Sequence, residues 1–437
     1  MGPLDQTAGS SSDVAQPAVE RATAPARSRA LVLAVSLALL SLVCACATPP
    51  RRQAVPLSFE TQATVSGFPY GIRYFPRDAK RLQVFQDDFV ESWKREEAYR
   101  RTQGLTGPLP PAAYLAISGG GDNGAFGAGL LSGWTKTGTR PEFKLVTGVS
   151  TGALISPFAF LGPAWDEQLK ALYTAVSLKD IAVGRSILSV LYGDSMADTT
   201  PLWNLLKKSV TQEMLDAIAV EHEKGRILLV GTANLDARRP VIWNVTKIAA
   251  SRRPGALDLV RKILLASAAI PGTFPPVMIE VEAGGVTYEE MHVDGGTASQ
   301  VFVYPAGMNL NILSLNNGIE RQRTLYVIRN ARLDPEWAEV DRQTLPIAMR
   351  AITCLIQYQG IGDLYRIFTI TQRDKVDYNL AYIPASFQVP HTAEFDPVYM
   401  RKLYDFAERL MLNGYQWAKE PPILVSGDRE DGALPPP

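Results

Sequence analysis

Histidine is nearly missing from this chain. His222, His292 and His391 are the only three among 437 residues, so a Ser-His-Asp triad has few places to draw its base from. Cysteine is as rare: Cys44, Cys46 and Cys354 cannot build a disulfide framework, and no Cys/His cluster has zinc spacing. Neither sign of charge is in excess. The 44 Lys+Arg balance 44 Asp+Glu, which excludes recruitment of nucleic acid or an anionic surface by a global field. No internal repeat is present, and long apolar runs are absent after residue 47. What remains is a 46% hydrophobic composition suited to a well-buried core. The length exceeds one average domain, and α/β enzymes of this size carry one large core with additions.

The one long apolar run, Ala30 to Val43, is broken only by Ser36 and Ser41 and follows Arg21, Arg27 and Arg29. A basic region before a short apolar stretch is the layout of a signal peptide. The run ends at Val43-Cys44-Ala45-Cys46, which resembles a bacterial lipobox with Cys46 as the lipidated residue. Val43 stands where leucine is usual, and Cys44 fits worse because bulky Val43 would precede the cut. The alternative is an uncleaved signal anchor over Ala30 to Ala47, short for a bilayer. Both place the rest of the chain outside the cytoplasm, held at a membrane by a lipid anchor or a signal anchor.

Composition divides the chain into 1–46 (leader), 47–110 (tether and an N-terminal helical segment), 111–335 (core) and 336–437 (a helical extension that completes the core, then a frayed tail). Thr48 to Tyr74 is polar and Pro-containing, the look of a tether. Asp78 to Arg101 has apolar residues at helical spacing. Gly107-Pro108-Leu109-Pro110-Pro111 marks a boundary, followed by a buried-strand pattern, Ala112 to Ile117. Further strands are expected at Phe143–Thr147, Arg226–Gly231, Pro240–Trp243, Val286–Tyr288, Met291–Val293, Thr324–Ile328 and Asn379–Ile383. Helices are expected at Ala256–Ala269 and Pro397–Trp417. This alternation predicts a layered α/β/α fold with a central, mostly parallel sheet. Cys354 reads as helix core, Ile187 to Tyr192 as core or acyl contact, and Gly193 to Pro201 as a connector ending in a helix cap, with a lid as the alternative.

Two motifs carry chemistry. Gly148-Val149-Ser150-Thr151-Gly152 sits between a strand and a helix. Such a turn forces the serine outward and needs small neighbours at Gly148 and Gly152, because other backbone passes close by. A hydroxyl so presented can attack a carbonyl. Earlier, Ser118-Gly119-Gly120-Gly121-Asp122-Asn123-Gly124 follows the first core strand and opens a helix. Gly119, Gly121 and Gly124 also fit the dinucleotide fingerprint G-x-G-x-x-G. That reading needs an acidic residue near the end of the second strand; here Glu142 precedes that strand, which runs instead into the serine turn. The remaining use is electrostatic: glycine amides at a helix N-terminus can hold a developing oxyanion.

The serine needs a base. Met291-His292-Val293-Asp294-Gly295-Gly296 ends a strand at a corner. His292 is the obvious triad candidate, but it lies two residues back, deeper in the sheet, whereas Asp294 sits at the edge. His222 reads as a charged surface turn and His391 as a loop residue.

The ordered set Gly-Gly-Gly-x-x-Gly, Gly-x-Ser-x-Gly and Asp-Gly-Gly resembles the patatin-like phospholipase family. Leu265 to Val277, with its helix end and Ile270-Pro271-Gly272 turn, adds to the resemblance, which spans roughly Ala113 to Arg332. It implies a catalytic core in 111–335 and a Ser-Asp dyad, Ser150 the nucleophile and Asp294 the general base. Gly119, Gly120 and Gly121 would form the oxyanion loop, with Gly124, Gly148, Gly152, Gly295 and Gly296 as motif glycines. The implied activity is hydrolysis of a lipid acyl ester without metal or organic cofactor. The family loop opens with Asp and carries a basic residue before its last glycine; here Ser118 and Asn123 stand there, which weakens any grip on a phosphate head group. A non-catalytic lipid-binding or scaffolding lipoprotein of the same fold is the alternative.

Overall fold

The computed structural model describes residues 50–76, 78–185 and 193–422. The leader with Cys44 and Cys46, the segment Ile187–Tyr192 and the tail from Gly427 lie outside these residues. Among the described residues no helix is long and apolar enough to cross a membrane.

Eight strands build the sheet around the site: β1 (Ala112–Ile117), β2 (Phe143–Val149), β3 (Ile227–Asn234), β4 (Arg239–Asn244), β5 (Val277–Ala283), β6 (Val286–Asp294), β7 (Arg323–Arg329) and β8 (Asp377–Tyr382). The central five, in the order β8-β7-β1-β2-β3, are all parallel. Their residues are apolar on both faces; β3 is buried along its whole length. That is the pattern of a parallel sheet covered by helices on both sides. Antiparallel strands β4, β6 and β5 are added around β3. The α/β fold with a central parallel sheet is thus as expected.

The helices that matter are α1 (Ala79–Thr102), α2 (Gly124–Lys136), α3 (Thr151–Leu161), α4 (Ala256–Ser267), α5 (Thr344–Asp374) and α6 (Pro397–Leu412). Helices α2 and α6 pack so closely that a Cβ at Gly129 would come within 2.3 Å of Tyr404 O. One core cluster holds Phe126, Ile155, Phe158, Ile263 and Leu403, the other Phe85, Phe89, Val303, Leu325 and Ile367.

Three expectations need correction. The segment Thr48–Tyr74 is not a tether over its length: Thr64–Val65 and Arg73–Tyr74 add strands to β5 and β4, and Ala63, Val65, Ile72 and Tyr74 are buried. Scattered apolar residues on so short a stretch show no periodicity. The two strands expected at 286–288 and 291–293 are one, β6. Glu289 and Glu290 look like a break, but Glu290 is buried against Arg73, with its Oε1 3.0 Å from Nη2. Cys354 lies in a helix, as expected, yet it is exposed rather than in the core. Strand β5 was not foreseen, and the helical extension expected after residue 335 includes one continuous 31-residue helix, α5.

Candidate active site

The position of the site follows from strand register. Along one edge, β3 pairs with β4 over Leu229–Asn234. Along the other edge it pairs first with β2, ending at Val149↔Gly231, and then with β6, starting at Asp294↔Thr232. Strand β2 runs parallel to β3 and β6 antiparallel, so their C-terminal ends meet head to head. Ser150 is the residue after one end, and Asp294 is the last residue of the other. The junction tolerates no side chain: a Cβ at Gly295 would lie 2.4 Å from Gly231 O.

Ser150 has φ 55° and ψ −126°, a conformation L-residues rarely adopt. Such strain persists only where neighbours fix it. The fixing group is Ser267, at the end of α4. Its hydroxyl accepts from Ser150 N at 3.0 Å and donates to Gly231 O at 2.7 Å. Two residues on, Ala269 O accepts from Asp294 N at 2.9 Å. One helix end therefore holds both residues of the pair. Gly148 and Gly152 serve as the turn demands: Cβ atoms there would lie 2.3 Å from Gly152 O and Ile117 O.

The Asp294 side chain is buried and within hydrogen-bonding reach of Ser150. Burial raises its pKa to about 6, against the opposing pull of the Ser150 hydroxyl and the Gly296 amide, which donates to Oδ1 at 2.7 Å. His292 is fully buried, with Nδ1 2.9 Å from Thr232 Oγ1 and Nε2 3.0 Å from Glu290 Oε2. Both ring nitrogens are committed to the sheet interior. His222 ends the surface helix Gln212–Glu223.

In the glycine loop the structure narrows the expected donors. Gly119 N is spent on Gln300 O at 3.0 Å, since the loop is laced to the chain after β6. Among the described residues the Gly120 and Gly121 amides have no acceptor. Gly120 packs on Asn330, whose carbonyl oxygen would lie 2.0 Å from a Cβ there, and Gly124 on Thr151. Gln300 also donates from Nε2 to Gly296 O at 2.9 Å, joining the two glycine turns.

Both departures from the family pattern have structural work. Ser118 Oγ accepts from Asn330 N at 2.8 Å, and Asn330 Nδ2 donates to Ser118 O at 3.0 Å. Asn123 Oδ1 accepts from Tyr399 OH at 2.7 Å. Between them, buried Asp122 accepts from His391 Nε2 at 2.7 Å and Phe395 N at 2.8 Å. His391, expected as a plain loop residue, is thus a strut of the glycine loop, and hydrogen bonding to Asp122 raises its pKa. Ser267 read only as part of the helix end before the proline turn, and Gln300 and Asn330 were missed because single polar residues outside a motif carry no spacing signal. Asp122, His391 and Glu394 bring possible metal-ligand atoms within 4.8 Å of one another, but the first two are already bonded together.

An apolar slot of about 50 Å³ opens beside the serine turn, lined by Thr151, Leu154, Phe158, Leu205, Leu206 and Phe395 among others. A larger cavity, about 970 Å³, lies behind the strand junction at Val149, Gly231, Gly295 and Phe302.

Residues 115–306 match the sequence model of the family described as Patatin-like phospholipase. No curated protein matches the chain. Among solved structures it is similar to VipD from Legionella pneumophila (11% identity, TM-score 0.33, covering 70% of this chain and 68% of that one). It is similar also to a complex of SpcU with ExoU from the type III secretion system of Pseudomonas aeruginosa (11%, 0.27, 70% and 52%) and to human GIVD cytosolic phospholipase A2 (10%, 0.26, 68% and 54%). The chain spans about half the length of the latter two. Residues 115–306 belong to the patatin-like phospholipase family.

Proposed function

We propose that the protein is a serine hydrolase of lipid acyl esters, working through Ser150 and Asp294. The observation that carries this reading is the head-to-head meeting of β2 and β6, which brings a strained serine against a buried carboxyl and little else that titrates. A free aspartate, near 3.9, is a poor base; burial that raises it to about 6 brings it close to the working pH of a general base.

In the forward step the Ser150 oxygen bonds to the acyl carbon while its proton passes to Asp294. The carbonyl electron pair moves onto oxygen, and the Gly120 and Gly121 amides stabilise that oxyanion; one such donor is worth about a hundredfold or more in rate. Collapse expels the alcohol, which takes the proton from Asp294. Water, deprotonated by Asp294, then adds to the acyl carbon, and the departing Ser150 oxygen takes that proton back as the carboxylic acid is released. No cation stands at Asn123, so the reading extends to the acyl ester and not to a phosphate head group. Cys46 anchors the mature chain to a membrane on the extracytoplasmic side; palmitate labelling of cells should disappear in Cys46→Ala.

The test is covalent. A fluorophosphonate probe should label the purified protein at Ser150 and leave Ser150→Ala unlabelled. An unlabelled wild type across detergents and pH would favour a lipid-binding scaffold instead.

A further inference from the structure

Helix α5 inverts the usual burial rule over its first half. From Thr344 to Gly362 it carries one charged residue, Arg350, and yet most of these residues are exposed. At 100° per residue, Ile347, Tyr358, Leu355, Ile352, Ile356 and Met349 fall in that angular order on an apolar arc of about 200°. Leu355 is 71% exposed, Tyr358 64% and Ile347 50%. The polar edge faces the protein: Gln357 Nε2 donates to Arg332 O at 3.0 Å, and Arg350 donates to Glu336 O. An amphipathic helix ordinarily docks the other way round.

The middle of the same helix reaches the candidate active site. Gln300, which accepts the Gly119 amide, is held by Asp363 Oδ2 at 2.6 Å and lies 3.3 Å from Gln359 Oε1. From Gln359 to Ile347 the helix runs outward by about 18 Å.

We infer that Thr344–Tyr358 is a lipid-insertion arm that seats the active site on a membrane surface. The inference rests on the acyl-ester hydrolase reading and names where its substrate comes from. A second copy of the chain would cover only the narrow seam of a helix pair, whereas a 200° uncharged arc suits a continuous apolar phase. Trp337, 88% exposed on the adjoining loop, is the residue type that settles at a lipid–water boundary. On that loop Asp334, Glu336, Glu339 and Asp341 outnumber Arg332 and Arg342, and Arg332 is already paired with Asp334 at 2.6 Å, so the surplus of acid opposes an anionic surface and the fitting lipid is zwitterionic.

Cys354, exposed at the margin of the arc, supplies the probe site. In full-length Cys44→Ser/Cys46→Ser protein it is the sole thiol, and an environment-sensitive fluorophore attached there reports on the arm alone. On phosphatidylcholine vesicles its emission should shift to the blue and be quenched by spin labels on the acyl chains. Phosphatidylglycerol should weaken both effects. Ile352→Asp/Leu355→Asp should abolish them and lower hydrolysis of a neutral long-chain acyl ester dissolved in the phosphatidylcholine vesicles at least tenfold, with hydrolysis of a water-soluble short-chain ester unchanged. A label that stays open to aqueous iodide on vesicles overturns the inference. So does a concentration-dependent dimer that the double variant dissolves without any lipid quenching, or unchanged vesicle hydrolysis in that variant. If the wild type hydrolyses neither ester while the label is still quenched, the arm stands and the hydrolase reading falls.

Discussion

Strand β6 carries two buried carboxyl groups four residues apart, and they are opposites. Glu290, in mid-strand, faces burial that would raise its pKa, but Arg73 and His292 outweigh it and hold the carboxylate at about 2. Asp294, at the strand end, has no cation in contact among the described residues; burial dominates and raises it to about 6. The same residue chemistry on one strand thus yields a fixed anion that ties the sheet to Arg73 and a group that can take up and release a proton near neutrality. What separates them is the company each keeps, not depth, since both are almost fully buried. Perturbed groups of the second kind mark functional sites.

The strongest way to break this contrast is Asp294→Asn. Hydrolysis should fall by about a thousandfold or more, the span of general acid–base catalysis. Stability should move the other way. Because the folded pKa is raised, Asp294 contributes stability below about pH 4 that is lost as pH rises through 6. About two pKa units correspond to about 3 kcal/mol, so denaturant unfolding should show the variant gaining on wild type by up to that amount between pH 4 and 8. A variant that is inactive and gains nothing over this range would mean that Asp294 is not the proposed base with a pKa raised by burial.

Glu290→Gln should do the reverse. It leaves the buried Arg73 and His292 without their anion and should cost roughly 3–5 kcal/mol, read as a lower denaturant midpoint. The sign in pH is opposite too: the lowered Glu290 pKa gives stability above about 4.5 that is lost as pH falls through 2. Enough folded variant should remain for its fluorophosphonate labelling per folded molecule to match wild type. A specific loss of labelling would make Glu290 part of the chemistry rather than its frame.

The pH–rate profile sharpens the comparison with a smaller effect. Hydrolysis should fall about tenfold per pH unit below 6 as Asp294 gains its proton, and the limb should stay in place in Glu290→Gln. A limb near 4 would assign the base to an ordinary exposed carboxylate.

Much of this was legible in the sequence, and the limits have physical causes. The parallel core showed because strands buried on both faces are continuous apolar runs, and Ser150 and Asp294 showed because turns at sheet edges demand glycines at fixed offsets. Register left no such mark. That β2 and β6 meet head to head along one edge of β3 depends on pairings some 80 and 60 residues apart in the chain. Ser267 and Ala269, which hold both partners, looked only like a helix end. Helix α5 was expected only as a helical stretch around Cys354 in the C-terminal extension, and its exposure was missed because apolar residues on a helix ordinarily read as core.

The smallest effect expected concerns His391, a positioning residue well away in sequence. It acts through Asp122, whose carboxylate also receives the Phe395 amide, on the loop that presents the Gly120 and Gly121 amides. Losing a charge-assisted hydrogen bond of this kind typically costs about 1.5–3 kcal/mol, though only the part that moves the loop reaches the rate. His391→Ala should therefore lower kcat about tenfold with KM for a soluble ester unchanged. His391→Gln, which keeps a donor without the charge, should recover most of the loss. Asp122 hydrogen bonding raises the imidazole pKa, with Glu394 and Glu336 adding to it, so the wild type should also lose some rate as pH climbs through that raised value. His391→Gln has no proton to lose there and should be flat. If Ala and Gln variants fall equally, or if the loss appears in KM, His391 shapes substrate access and not the oxyanion loop.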